Sequence, residues 1–154
     1  GIGYGNISLR VDADQFIISA TATGATRVLS ADDWVLVTAF DLDKNEVSCC
    51  GQKQASAETM SHGAIYRDQS KVTCVIHIHH AGIWRWMRDH NYPSTPIDTA
   101  YGTPQMAQEI ADLVAQDGST NGVFAMGGHE DGVIAYGATI QSAMDQLLQL
   151  YHSV

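Results

Sequence analysis

Two histidines one residue apart on an isoleucine- and valine-rich stretch are the first feature of this chain that could do chemistry: His77 and His79, in Ile76-His77-Ile78-His79-His80. On a strand, side chains alternate between faces, so both imidazoles project to one side and Ile78 to the other. Residues two apart on a strand stand about 7 Å from each other, and twist lets two such rings meet one ion. A single histidine on a buried strand is ordinarily a hydrogen-bonded core residue. A His-x-His pair at a strand end points instead to a metal. A catalytic zinc commonly takes three protein donors and keeps a fourth position open, so a third ligand is required. His129 is the candidate, in Gly127-Gly128-His129-Glu130-Asp131-Gly132, where glycines permit a tight turn and a close backbone approach to the ion. Taken alone, His129 is an ordinary turn residue.

A site of this kind also needs a group that moves protons. Glu58 stands near the start of an expected helix, where the dipole favours its ionised form. On the residues alone, a first-turn glutamate that only stabilises its helix accounts for it equally well. Glu130, beside His129, is a rival carboxylate, though a turn carboxylate is more often simply solvated. His62, one helical turn on from Glu58, is placed to orient it. His80 faces away from His79 and reads as structural, and His90 and His152 read as surface residues.

The elements that must position these groups follow from patterning. Gly1 to Asn6 reads as a glycine-rich turn, Ile7 to Val11 as a strand, Asp12 to Gln15 as a hairpin turn and Phe16 to Ser19 as a second strand. Ala20 to Thr26 is a small-residue loop. Ser30 caps a short turn ahead of the strand Trp34 to Phe40, and Glu46 to Cys49 follows as another strand. Ser56 to Arg67 reads as a helix with Ser56 as N-cap. Lys71 to His79 reads as a buried strand and Ala81 to His90 as a helix. Thr103-Pro104 opens a helix running to about Ala115, since proline at the first helical position loses no useful donor. Val123 to Met126 and Val133 to Tyr136 are strands around the glycine-rich turn, and Thr139 to Tyr151 closes as a helix. Strands first, then helices mixed with strands, predict an α+β or mixed α/β layered architecture.

The whole chain narrows the function classes. Its 154 residues, 45% hydrophobic and 16% charged, suit one globular domain spanning 1–154. A net charge of −9 with scattered Lys and Arg argues against nucleic acid and against an anionic membrane surface. No apolar run approaches the roughly 20 residues that cross a bilayer. Cys49, Cys50 and Cys74 are an odd number, and the adjacent pair bridges only with strain, so reduced thiols in the cytoplasm are expected. Gly1 rather than Met opens the chain, from which an upstream segment is expected.

Three common His-x-His folds fail on sequence. Cupins need a glutamate a few residues after the pair, and none occurs between His79 and Glu109. Metallo-β-lactamase-like hydrolases need His-x-His-x-Asp-His, and Ala81-Gly82 stands here. Amidohydrolase barrels need about 250 residues.

A series of short segments does match a known family in order. These are Gly5-Asn6-Ile7-Ser8, Thr21-Ala22-Thr23-Gly24, Ser56-Ala57-Glu58, the pair His77 and His79, Tyr101-Gly102-Thr103, and His129 in a turn between strands. Over Gly5 to about Tyr151 the chain resembles the class II aldolase/adducin family. Three departures stand out: His129-Glu130-Asp131-Gly132 in place of His-Gly, Ala57 in place of a second serine, and Ala22 in place of proline. The family's N-terminal helices are expected to be missing.

The resemblance implies a layered α/β/α fold with a central, largely antiparallel sheet flanked by helices. It implies a divalent ion, most simply Zn2+, on His77, His79 and His129, with Glu58 as the catalytic acid/base. It also implies an anion-binding set of Asn6, Thr23, Gly24 and Ser56. The expected activity is that of a metal-dependent lyase of aldolase type, cleaving a small hydroxy-carbonyl or sugar-phosphate-like substrate through an enediolate that the ion stabilises. Epimerase or dehydratase chemistry, and a non-catalytic adducin-like interaction domain, are the alternatives. The expected partners are a small-molecule substrate and further copies of the chain, as a homotetramer.

Overall fold

A computed structural model describes residues 4–154. Among these described residues, seven strands form one sheet in the order β4-β3-β2-β1-β5-β7-β6. They are β1 (Gly5–Asp12), β2 (Gln15–Ser19), β3 (Trp34–Asp41), β4 (Glu46–Cys50), β5 (Cys74–His79), β6 (Gly122–Ala125) and β7 (Gly132–Gly137). Every neighbouring pair is antiparallel. The α-helices among the described residues are α1 (Thr59–Asp68), α2 (Ala81–Asp89), α3 (Pro104–Asp117) and α4 (Ile140–Tyr151).

The alternation of side chains on the strands divides the core in two. On one face Phe16, Ile18, Val35, Val37 and Val75 pack against Met60, Ala64 and Ile65 of α1 and Met106, Ile110 and Val114 of α3. On the other, Cys74, Ile76, Val133 and Ala135 pack against Ile83 and Met87 of α2 and Ala143, Leu147 and Leu150 of α4. The architecture is therefore the layered α/β/α arrangement with an antiparallel sheet that was expected.

Most boundaries lie within a residue or two of the sequence reading, and three of the differences are informative. Residues 1–3 of the expected opening turn lie outside the described residues, and Gly5 and Asn6 are already strand. Gly5 pairs with Ile78 and Asn6 with His77, at the centre of the sheet. Gly5 sits at φ +132°, and a Cβ there would lie 2.8 Å from the His77 carbonyl oxygen, so only glycine fits this approach. Helix α1 begins at Thr59 instead of Ser56, because the Ser56 carbonyl already accepts from the Thr59 N–H (3.1 Å) and hydroxyl (2.6 Å), and Glu58 becomes the N-cap. Strand β5 begins at Cys74, after a turn in which the Val72 N–H donates to Gln69.

Candidate active site

Strand β5 lies between β1 and β7, and its alternation turns Val75, His77 and His79 to the face covered by α1. The ring Nε2 atoms of His77 and His79 approach to 3.1 Å. The Nδ1 of His77 faces the Val133 carbonyl at 3.2 Å and donates to it, which fixes the tautomer and leaves Nε2 a bare lone pair. His129 arrives from the turn between β6 and β7. Its ring centroid is 5.3 Å from that of His77 and 4.5 Å from that of His79. One ligand atom from each of the three lies within 4.8 Å of the others.

All three imidazoles are held neutral. Burial pushes His77 well below the ordinary histidine range, with His79, His62 and His129 adding to the effect. Burial likewise lowers His79, against the pull of Asp131. It brings His129 down to about 4. Neutral imidazoles converging their lone pairs are the donor set that zinc and similar borderline ions take. The residues present therefore fit a divalent ion.

Beside them stands the Glu58 carboxyl, nearly buried. Its Oε1 lies 3.6 Å from His129 Nε2, and its Oε2 accepts a 3.0 Å hydrogen bond from Ser61 Oγ. Burial raises its pKa, and the Ser61 bond offsets part of that rise. A carboxyl so placed exchanges a proton nearer neutrality than a solvated one.

A cleft of about 500 Å³ connects these groups. Asn6, Gly24, Ser56, Glu58, His77, His79 and His129 all line it. Of the expected residues, Thr23 alone does not. Its hydroxyl donates inward to the Ala20 carbonyl at 2.7 Å, closing the loop on itself. Asn6 Nδ2 donates to Ser56 Oγ at 2.9 Å, tying β1 to the segment before α1. Tyr101 packs its ring 4.2 Å from that of His129, and Tyr4 stands 5.5 Å from His79.

Several minor expectations are corrected or extended. His62 does not orient Glu58; it is fully buried, with Nδ1 2.6 Å from Ser8 Oγ, and Ser61 holds the carboxyl instead. Ser61, three residues after Glu58, was accessible from helical spacing alone. Glu130 is exposed, and it is its backbone that meets His79. His80 caps α2, accepting from the Ile83 N–H at 3.1 Å. The glycine pair Gly127-Gly128 makes room for a neighbouring loop: a Cβ would lie 2.1 Å from Thr95 O at the first and 1.8 Å from Thr99 O at the second. The left-handed residue in that turn is Asp131, at φ 66°.

Comparison with known proteins bears on this arrangement. The family described as Class II Aldolase and Adducin N-terminal domain matches residues 2–154. No curated protein sequence matches significantly. Among solved structures, YgbL from Escherichia coli, whose description leaves aldolase, epimerase and decarboxylase open, superposes with a TM-score of 0.72 at 19% identity. That match covers 97% of this chain and 75% of that one. An L-fuculose 1-phosphate aldolase gives 0.74 at 18% identity, covering 99% and 73%. A sugar-phosphate aldolase from Thermotoga maritima gives 0.72 at 14%, covering 97% and 82%. At these identities the likeness is one of fold.

Proposed function

This chain belongs to the class II aldolase and adducin family, and from that premise we propose that it is a metal-dependent lyase cleaving a small hydroxy-carbonyl compound. The observation that carries the reading is the convergence of His77, His79 and His129 within 4.8 Å, beside a nearly buried carboxyl. His77, His79 and His129 are the ligands in this reading, and Zn2+ is the ion their chemistry suits best. When bound, such an ion supplies Lewis acidity toward a carbonyl and a neighbouring hydroxyl.

The remaining work falls to the chain's own groups. Cleavage of an aldol takes a proton from a hydroxyl, breaks the adjacent carbon–carbon bond, and returns a proton to the carbon that keeps the electron pair. Glu58 is assigned the proton transfer at that carbon through Oε1, because Oε2 is held by Ser61. Its raised pKa suits it to accept and return the proton in one cycle. Asn6, Gly24 and Ser56 hold the rest of the substrate, with the Thr23 hydroxyl shaping their loop from behind.

The reading extends to a homotetramer. The outward side of α4 presents Ile140, Met144, Leu148 and Tyr151, each more than a third exposed at helical spacing, as a subunit contact would. A reducing, cytoplasmic setting is consistent with three unpaired cysteines. No helix among the described residues is long and apolar enough to cross a membrane.

Metal content of protein purified without added metal, together with deuterium exchange into dihydroxyacetone in D2O, tests the reading. About one divalent ion per chain, and carbon-bound exchange that disappears on its removal, are the expected results. Failure to take up any ion after reconstitution would sink the lyase and leave a non-catalytic interaction domain.

A further inference from the structure

Resting on the reading of the three histidines as a metal site, we infer that Asp131 is a positioning residue for it. Asp131 holds a fixed negative charge beside His79 and so strengthens capture of the divalent ion. The ligand cluster among the described residues is three imidazoles held neutral, which bring no charge of their own to a doubly charged ion. Glu58, the carboxyl beside His129, is assigned to move a proton and so is neutral for part of the cycle. A carboxylate that stays charged is what the ligands themselves lack. The turn that carries His129 supplies one.

The sheet register brings Asp131 to the ligand strand. His79 on β5 lies directly across from Gly132 on β7, the residue after Asp131. The Asp131 carbonyl accepts from the His80 N–H at 2.8 Å, which ties its backbone to the residue after the ligand. Its carboxylate is close enough to draw His79 toward the protonated form, against the effect of burial. A group that favours positive charge on the ring likewise favours an ion held by that ring. Asp131 Oδ1 is itself buried, and no donor among the described residues reaches it. A buried carboxylate oxygen without a partner is costly unless a positive charge offsets it. The backbone adds an independent point. Asp131 takes φ 66°, a conformation that a Cβ disfavours and glycine adopts freely. Glycine already fills three of the six places in Gly127-Gly128-His129-Glu130-Asp131-Gly132. Aspartate is tolerated at such a φ chiefly when its side chain bonds locally, and the buried oxygen makes no such bond. Turn geometry alone therefore does not account for a carboxylate here; its charge does.

Zinc affinity, read by competition with a chromogenic chelator, and urea denaturation of the metal-free protein together test this. Asp131→Asn keeps the size of the side chain and its tolerance of a left-handed backbone, and removes the charge. It is expected to bind Zn2+ about 10–100-fold more weakly, the usual cost of losing a group behind a ligand. Asp131→Gly is expected to lose affinity to a similar degree while leaving the metal-free protein no less stable, because glycine relaxes the turn. A carboxylate that merely shaped the turn would give the opposite pattern. Asp131→Asn binding Zn2+ within about twofold of the unaltered protein, or a metal-free Asp131→Gly clearly less stable than it, would overturn the inference and leave the lyase reading standing. Failure of the unaltered protein to take up Zn2+ would bring down the lyase reading and this inference with it.

Discussion

His62 and the cluster of His77, His79 and His129 share one face of the sheet, and burial lowers the pKa of all four, yet they are built for different things. The His62 ring is fully buried. Its Nδ1 meets Ser8 Oγ at 2.6 Å, and that hydroxyl also meets Tyr66 OH at 2.8 Å. Burial takes His62 down to about 3 and raises Tyr66. This is a polar knot between α1 and β1, inside the layer where α1 lies on the sheet. The three clustered rings turn their nitrogens toward one another and toward a cleft. A depressed histidine pKa therefore marks burial in both places. Only the direction of the lone pairs separates a core residue from a ligand.

Removing a ligand is the largest blow the comparison can receive. His77→Ala or His129→Ala is expected to lose the ion and all metal-dependent deuterium exchange, since even changes behind a ligand typically cost 10–100-fold in affinity. Retention of one ion per chain in both variants would place the metal elsewhere. Next in size is Glu58→Gln, expected to keep the ion while slowing exchange by about 10²–10⁴-fold, the usual worth of a positioned acid or base. An unchanged rate would transfer the proton-moving role to another group.

His62→Ala should do the reverse: leave metal content intact and lower stability by about 2–4 kcal/mol, from the cavity and the weakened knot around Ser8. Urea denaturation of the metal-free protein reads this directly. A variant that unfolds with wild-type stability but loses its ion would make His62 part of the site and dissolve the distinction.

How much of this was legible beforehand depends on distance along the chain. The sharing of one face by His77 and His79 follows from strand period alone, and the order of all the main elements follows from patterning. The placing of His129 beside them rested on family resemblance, because no local rule brings a turn 50 residues away to a strand end. Local spacing allowed either Ser61 or His62 as the partner of Glu58; the fold gives that place to Ser61, because His62 points across to Ser8 on β1. Thr23 shows the same limit. A hydroxyl in a small-residue loop reads as a binding group, and only the path of the backbone shows it closing on Ala20. The pairing of Ala20 with Ala55, which joins two segments that line the cleft, is a long-range contact that neither segment announces.

The smallest effect sharpens the comparison through pH. His62 titrates near 6.5 when unfolded and near 3 when folded, so below pH 6.5 the unfolded chain takes up a proton that the folded chain refuses. The stability tied to neutral His62 is thus complete above about pH 6.5 and falls as pH drops, by up to about 1.4 kcal/mol per unit, until the folded value is reached. Between pH 6.5 and 5.5 the loss from this one ring is about 1 kcal/mol. His62→Gln keeps an amide able to bond Ser8 and has no proton to gain, so its stability should decline less steeply over that interval, by this amount. The clustered histidines contribute to the slope of both proteins and cancel in the difference. Parallel slopes in the two proteins would mean that the folded state does protonate His62 in this range, and the division between knot and cluster would then lose its energetic basis.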